Sequence, residues 1–204
     1  MSEPLPMAPP NAESHGIAAW AAARGLRFDA TPDEAWFRAW EPFDTMAAPA
    51  RYLNGVTQVN PDGLIVLAEP WMADEGMEPL GRTVLGFVTH PALCGRAAGR
   101  AGEHFNTRVV FLDGRAPVAV STGDALWDAH VATFAESTEV ARRALRSRLR
   151  DHLAQSGFDG HVEVRTGGLV LHLAGLPPHV DGYRRLRRAM MALRGVMSGL
   201  ANAV

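Results

Sequence analysis

The residues best suited to chemistry lie in a few short stretches. Residues 94–102 read Cys-Gly-Arg-Ala-Ala-Gly-Arg-Ala-Gly. Glycines there permit close backbone approach, and Arg96 and Arg100 could hold an anion. The Gly-Lys-Ser/Thr ending of a P-loop is absent, as is any dinucleotide fingerprint, so the run is expected to be a flexible connector between strands and no phosphate cofactor is expected. His90 and Cys94 have the spacing of two metal ligands on a helical turn, with His104, His161 and Glu163 further along. Zinc needs three or four converging ligands, and Pro91 and the glycines interrupt the segment, so no metal is expected. Cys94 beside a histidine is also the formal centre of a nucleophilic enzyme, but no Gly-x-Ser-x-Gly elbow accompanies it. Ser121-Thr-Gly-Asp124 reads as a loop or helix start, because such side chains bond their own backbone. Asp74 and Glu75 sit side by side in Trp71-Met72-Ala-Asp-Glu-Gly-Met-Glu78. A glycosidase needs its two carboxylates on opposed walls. The stretch therefore reads as a solvated loop or as a partner-binding tip with Trp71 and Met72 as anchors.

Charge is unevenly laid out. All 20 basic residues are Arg, so no lysine can act as a base or Schiff-base nucleophile. The net charge is −2, but residues 1–137 hold 9 Arg and 17 acids while residues 138–204 hold 11 Arg and 5 acids. Arg184, Arg185, Arg187 and Arg188 cluster, as do five arginines within 142–150. These are solvated helix faces or a basic surface for an acidic protein or a second copy. Only Tyr183 interleaves with the arginines and no recognition motif appears, so nucleic acid is not the expected partner.

The elements that must position these groups follow from periodicity. Ser14 caps a helix over 14–25. Thr31-Pro-Asp-Glu34 reads as a capping box opening a second helix, with Trp36, Phe37 and Trp40 as an aromatic stripe. Strands are expected at 51–59 and 63–69 about the Asn60-Pro-Asp-Gly63 turn, at 82–90, and at 105–112 and 116–121 about Asp113-Gly114, with a weaker one at 129–135. Ser137 starts a helix over 138–156 with Leu145, Leu149 and Leu153 on one side. A hairpin at 161–165 and 169–174 precedes a last helix, 179–201. Along that helix Tyr183, Leu186, Met190, Leu193, Met197 and Leu200 form a heptad seam. It must be buried on the protein's own sheet or on a second copy. Gly195 and Gly199 suit a place where another backbone comes close, so residues 195–204 are expected at an interface within the fold or between chains.

These readings give an α+β fold: a mostly antiparallel sheet with the N-terminal helices and the two later helices packed on one face. Trp36, Trp40, Leu64, Val66, Leu149, Leu153, Leu171 and Leu186 are expected to share one core. Residues 1–13 are expected to form a flexible Pro-rich arm and 14–204 one domain, within which 26–69 and 129–174 are read as a strand–helix–hairpin order that recurs. The last third resembles a bacterial domain family of unknown function, through Val131, Glu136-Ser137, Glu139, Ala141-Arg142, Ala144-Leu145, Leu149, Leu153 and Gly-Gly-Leu-Val at 167–170. That family brings no catalytic residues to carry over. The order of elements is also similar to that of the small dimeric chaperones of bacterial secretion systems.

With 204 residues, 47% of them hydrophobic, the chain can bury a sizeable core. It contains no run of 18 apolar residues and no signal-peptide pattern, and its lone cysteine suits a reducing compartment, so a cytoplasmic bacterial protein is expected. The expected function is that of a non-catalytic accessory or adaptor protein acting by protein binding or self-association. Its contact residues would be Trp71, Met72, Asp74 and Glu75 on the loop and Arg184, Arg185, Arg187, Arg188 and Met197 on the last helix. The alternatives are a small apolar ligand-binding domain and an enzyme centred on Cys94 or a histidine.

Overall fold

The computed structural model describes residues 12–44, 46, 48–71, 82–102 and 117–201. Its elements in chain order are α1 (Ala12–Ala22), β1 (Arg27–Asp29), α2 (Glu34–Arg38), β2 (Arg51–Asn60), β3 (Gly63–Trp71), β4 (Leu85–Thr89) and β5 (Ala97–Ala101). There follow β6 (Val118–Val120), α3 (Ala125–Asp128), β7 (Ala132–Ala135), α4 (Thr138–Ala144), α5 (Ser147–Gln155), β8 (Gly160–Arg165), β9 (Gly168–Leu173) and α6 (Val180–Ala201). The nine strands form one sheet in the order β1-β2-β3-β4-β9-β8-β5-β7-β6, every neighbouring pair antiparallel. The chain is α+β.

Alternation along β3 shows how the sheet is covered. Ile65 and Leu67 point to one side and join a core with Trp20 of α1, Leu145, Leu149 and Leu153 of the α4–α5 region, and Tyr183, Leu186, Met190, Leu193 and Met197 of α6. Val66 and Ala68 point to the other and join Phe37, Trp40, Phe43, Tyr52 and Phe87. The expectation of a single core with all helices on one face is therefore corrected. Leu149, Leu153, Leu171 and Leu186 lie in the first core; Trp40 and Val66, with partly buried Trp36 and Leu64, lie in the second, where α2 packs. The reason is visible in the run Leu64 to Ala68. Strands apolar on both faces need cover on both. Phe37 stacks on Tyr52 at 4.4 Å, and Trp36, Phe37 and Trp40 all meet the Phe87 ring edge-on at 5.2–5.6 Å.

Several local expectations change: α1 begins at Ala12, so Ser14 lies within the helix and does not cap it. The run 94–102 is not a connector: residues 97–101 are β5, paired with both β7 and β8. Its small residues are required because Trp127 and Val131 press on Gly99, where an added Cβ would stand 2.9 and 3.1 Å away. The helix expected over 138–156 breaks after α4, where Leu145 and Arg146 leave helical geometry; Ser137 caps α4 as read, accepting from Val140 N at 3.2 Å. Helix α2 is capped by Asp33, not Thr31. The strand expected at 105–112 lies outside the described residues. Of the two similarly ordered units, β1 pairs directly with β2, whereas β7 reaches β8 only through β5.

Candidate functional site

Strand alternation sends Val162 and Val164 of β8 into the first core, so His161, Glu163 and Arg165 face the second side of the sheet. There they meet the chain between α2 and β2. Glu163 Oε1 accepts from Asp44 N–H at 2.8 Å and lies 2.8 Å from His161 Nε2; Glu163 Oε2 is 3.5 Å from Arg165. Arg96 holds Asp44 Oδ1 at 2.6 Å and donates to Pro42 O, which Arg165 also reaches. One strand over, His172 Nε2 is 3.0 Å from Thr83 Oγ1, whose hydroxyl donates to Leu176 O. Burial would raise Glu163, but the His161 hydrogen bond and charge, the Asp44 N–H and Arg165 hold it below the usual glutamate range. Asp44 is pushed up, first by burial and then by the Glu163 charge, against the pull of Arg96. A carboxylate–imidazole pair is a general-base pattern. Here, however, Nε2 is engaged by Glu163 and both residues are 0% exposed, so in this arrangement no substrate reaches either group. The cluster clamps residues 42–44 onto the sheet.

A second constellation joins the β2–β3 turn to the end of α6. Asp62 accepts from Arg194, and its Oδ2 accepts from Ser198 Oγ at 3.1 Å and lies 3.1 Å from His90 Nε2. Serine, histidine and aspartate meet, but not as a triad. In a triad the two nitrogens of the ring serve different partners. His90 Nδ1 accepts from Ala92 N–H at 3.1 Å, which places the proton on Nε2, and Ser198 and Asp62 both lie on that same nitrogen. Ser198 has no base, and the group is a latch. The Arg194 hydrogen bond lowers the Asp62 pKa, helped by Ser198.

The residues expected at a partner surface scatter. Trp71 is 38% exposed at the end of β3, while Met72, Asp74 and Glu75 lie outside the described residues. Arg184, Arg185 and Arg188 are exposed; Arg184 pairs with Asp181 at 3.1 Å, and half-buried Arg187 donates to Gln58 of β2. Met197 is fully buried in the first core and is not a surface residue, because the seam of α6 packs on the protein's own sheet. No atom lies within 4 Å of a Cβ built on Gly195, so no other backbone approaches it in the fold. Instead Gly195, Val196 and Gly199 border an open groove of about 340 Å³ beside Arg148, Asp151 and His152 of α5. Cys94 Sγ contacts Arg143 O at 3.9 Å and Arg146 at 3.6 Å, and among the described residues no hydrogen bond joins it to a histidine. Among the described residues no three of His, Cys, Asp and Glu could hold a metal ion, and no helix is long and apolar enough to cross a membrane.

The sequence marked His161 and Glu163 individually, but not Asp44, Thr83, Arg165 or His172 as their neighbours. The alternation His-x-Glu-x-Arg on a strand was the available signal; the partners lie in other elements. Ser198 and Asp62 carried no signal at all.

No protein-family model matches the chain, and no curated protein matches it. Among solved structures it is similar to the crystal structure of the mycobacterial trehalose monomycolate transport factor A, with 10% identity over 91% of this chain and 92% of that one and a TM-score of 0.57. At that identity the likeness is one of fold.

Proposed function

We propose that this is a non-catalytic accessory protein that works by binding protein. The observation that carries the reading is that the two constellations with catalytic residue types are closed on themselves. His161 and Glu163 are shut away from solvent and clamp a loop, and Ser198 shares a single histidine nitrogen with Asp62. The exposed face of α6 is cationic, with Arg184, Arg185 and Arg188 along it, and Trp71 is exposed elsewhere on the surface. The transport factor named above is compatible with an accessory role, through fold alone. The apolar-ligand alternative draws no support from the α5–α6 groove, which carries Arg148, Asp151 and His152.

The test is complementation of a strain lacking the gene. Ser198→Ala and Glu163→Gln chains that remain folded are expected to complement, because they remove chemistry but no surface. Arg184→Glu, Arg185→Glu and Arg188→Glu together are expected to fail. If the folded Ser198→Ala or Glu163→Gln chain fails while the arginine variant complements, the non-catalytic reading is overturned.

A further inference from the structure

Helix α6 carries a second seam. Positions 185, 188, 192, 195 and 199 repeat the three-and-four spacing of the buried seam on the opposite side of the helix, and they are Arg, Arg, Ala, Gly and Gly. The first four are exposed and Gly199 is half-buried. Of the eleven arginines at 138–204, exposed Arg143 at the end of α4 makes no side-chain hydrogen bond among the described residues and lies away from this seam. Arg142, Arg146, Arg148, Arg150, Arg165, Arg184, Arg187 and Arg194 each bind an atom of their own chain. Among the described residues, Arg185 and Arg188 have no hydrogen bond or ion pair. The far half of the same seam borders the α5–α6 groove, with exposed Asp151 on its wall.

We propose that α6 of a second copy packs antiparallel on this outer seam, about a two-fold axis near Ala192. The inference rests on the protein-binding reading and names its partner. Charge complementarity under that symmetry supports the pairing. An antiparallel pairing about Ala192 sets Arg188 of one copy opposite Val196 of the other, and Arg185 opposite Gly199. That is where Asp151 lines the groove. It is also the C-terminal end of α6, whose last carbonyls lack intrahelical partners and carry partial negative charge. The two arginines of one copy therefore face the single carboxylate Asp151 and the C-terminal end of the other copy's helix, and the two-fold repeats the contact. A parallel pairing would set Arg185 and Arg188 against their like. Ala192, Gly195 and Gly199 let the axes approach to about 8 Å, and Arg148, the other cation of the groove, is held at Gly199 O.

Light scattering of the full chain across a concentration series tests this. The wild type is expected to be a dimer that weakens with salt. Arg185→Glu with Arg188→Glu, Gly195→Leu alone and Asp151→Arg alone should each raise the dimer dissociation constant at least tenfold without changing the circular dichroism spectrum. Combining Asp151→Arg with Arg185→Asp and Arg188→Asp should restore the dimer. A monomer at every concentration overturns the proposal, as does a dimer indifferent to all three disrupting variants. A monomer leaves the protein-binding reading standing, since that reading is overturned only when a folded Ser198→Ala or Glu163→Gln chain fails to complement while the arginine variant complements.

Discussion

Gly99 shows how much one residue can depend on distant sequence. In β5 its missing side chain admits Trp127, Val131 and Val162, at 2.9, 3.1 and 3.2 Å from a built Cβ. Gly99→Ala should lower stability by about 1–3 kcal/mol in urea titrations. Gly86→Ala should cost less, because its neighbour is the flexible Met190 side chain, at 2.8 Å. The sequence made the glycine run visible, but not its meaning. A glycine that frees a loop and one that admits an indole look alike until Trp127 is placed. Glu163 offers a second test. Its folded pKa lies below the ordinary glutamate value, so its contribution is complete above that value and is lost as pH falls through the depressed one. Glu163→Gln should therefore cost about 3 kcal/mol at neutral pH, and the gap to wild type should narrow in acid. Asp44, raised by burial and by Glu163, runs the other way, its stabilisation lost as pH rises through its folded pKa.

At the level of elements, periodicity foretold helices better than their breaks. The spacing of Leu145, Leu149 and Leu153 continues straight through the α4–α5 junction, and all three are buried, so nothing in the apolar pattern marks it. The junction is held by Arg150, which donates to Leu145 O and pairs with Asp124 at 3.2 Å, the residue that caps α3. Replacing Arg150 by Ala should destabilise by about 1–3 kcal/mol and speed amide hydrogen exchange at 121–128 as well as at the junction. The seam of α6 was legible as a buried face, while the latch at its end was not, since Asp62 and Ser198 stand 136 positions apart. Truncation after Arg194 removes Met197 from the core and Ser198 from the latch; it should lower the urea midpoint, with a loss of about 2–5 kcal/mol from the methionine alone.

Over the whole molecule, part of the charge division turns inward. Arg194 grips Asp62 and Arg150 grips Asp124, each tying the basic C-terminal part to the acidic part before it. Asp62 is lowered chiefly by Arg194, and Asp124 by the Trp127 N–H and then Arg150. Their stabilisation is present at neutral pH and lost as pH falls through their depressed values, so urea midpoints should drop as pH falls below the ordinary aspartate value of 3.8. The α+β class followed from the hairpins and helices, but the two-sided cover and the central place of β5 did not, because both depend on which distant strands meet. That strand order bears on synthesis at the ribosome. β1 to β4 can pair as they emerge, yet the free edge of β4 is claimed by β9, which begins about eighty residues later. At 5–20 residues per second the wait is about 4–16 s. Throughout it Leu85, Phe87 and Val88, all buried in the finished fold, lie on an unpaired edge. The nascent N-terminal part is thus the molecule's period of greatest exposure to aggregation and to chaperones.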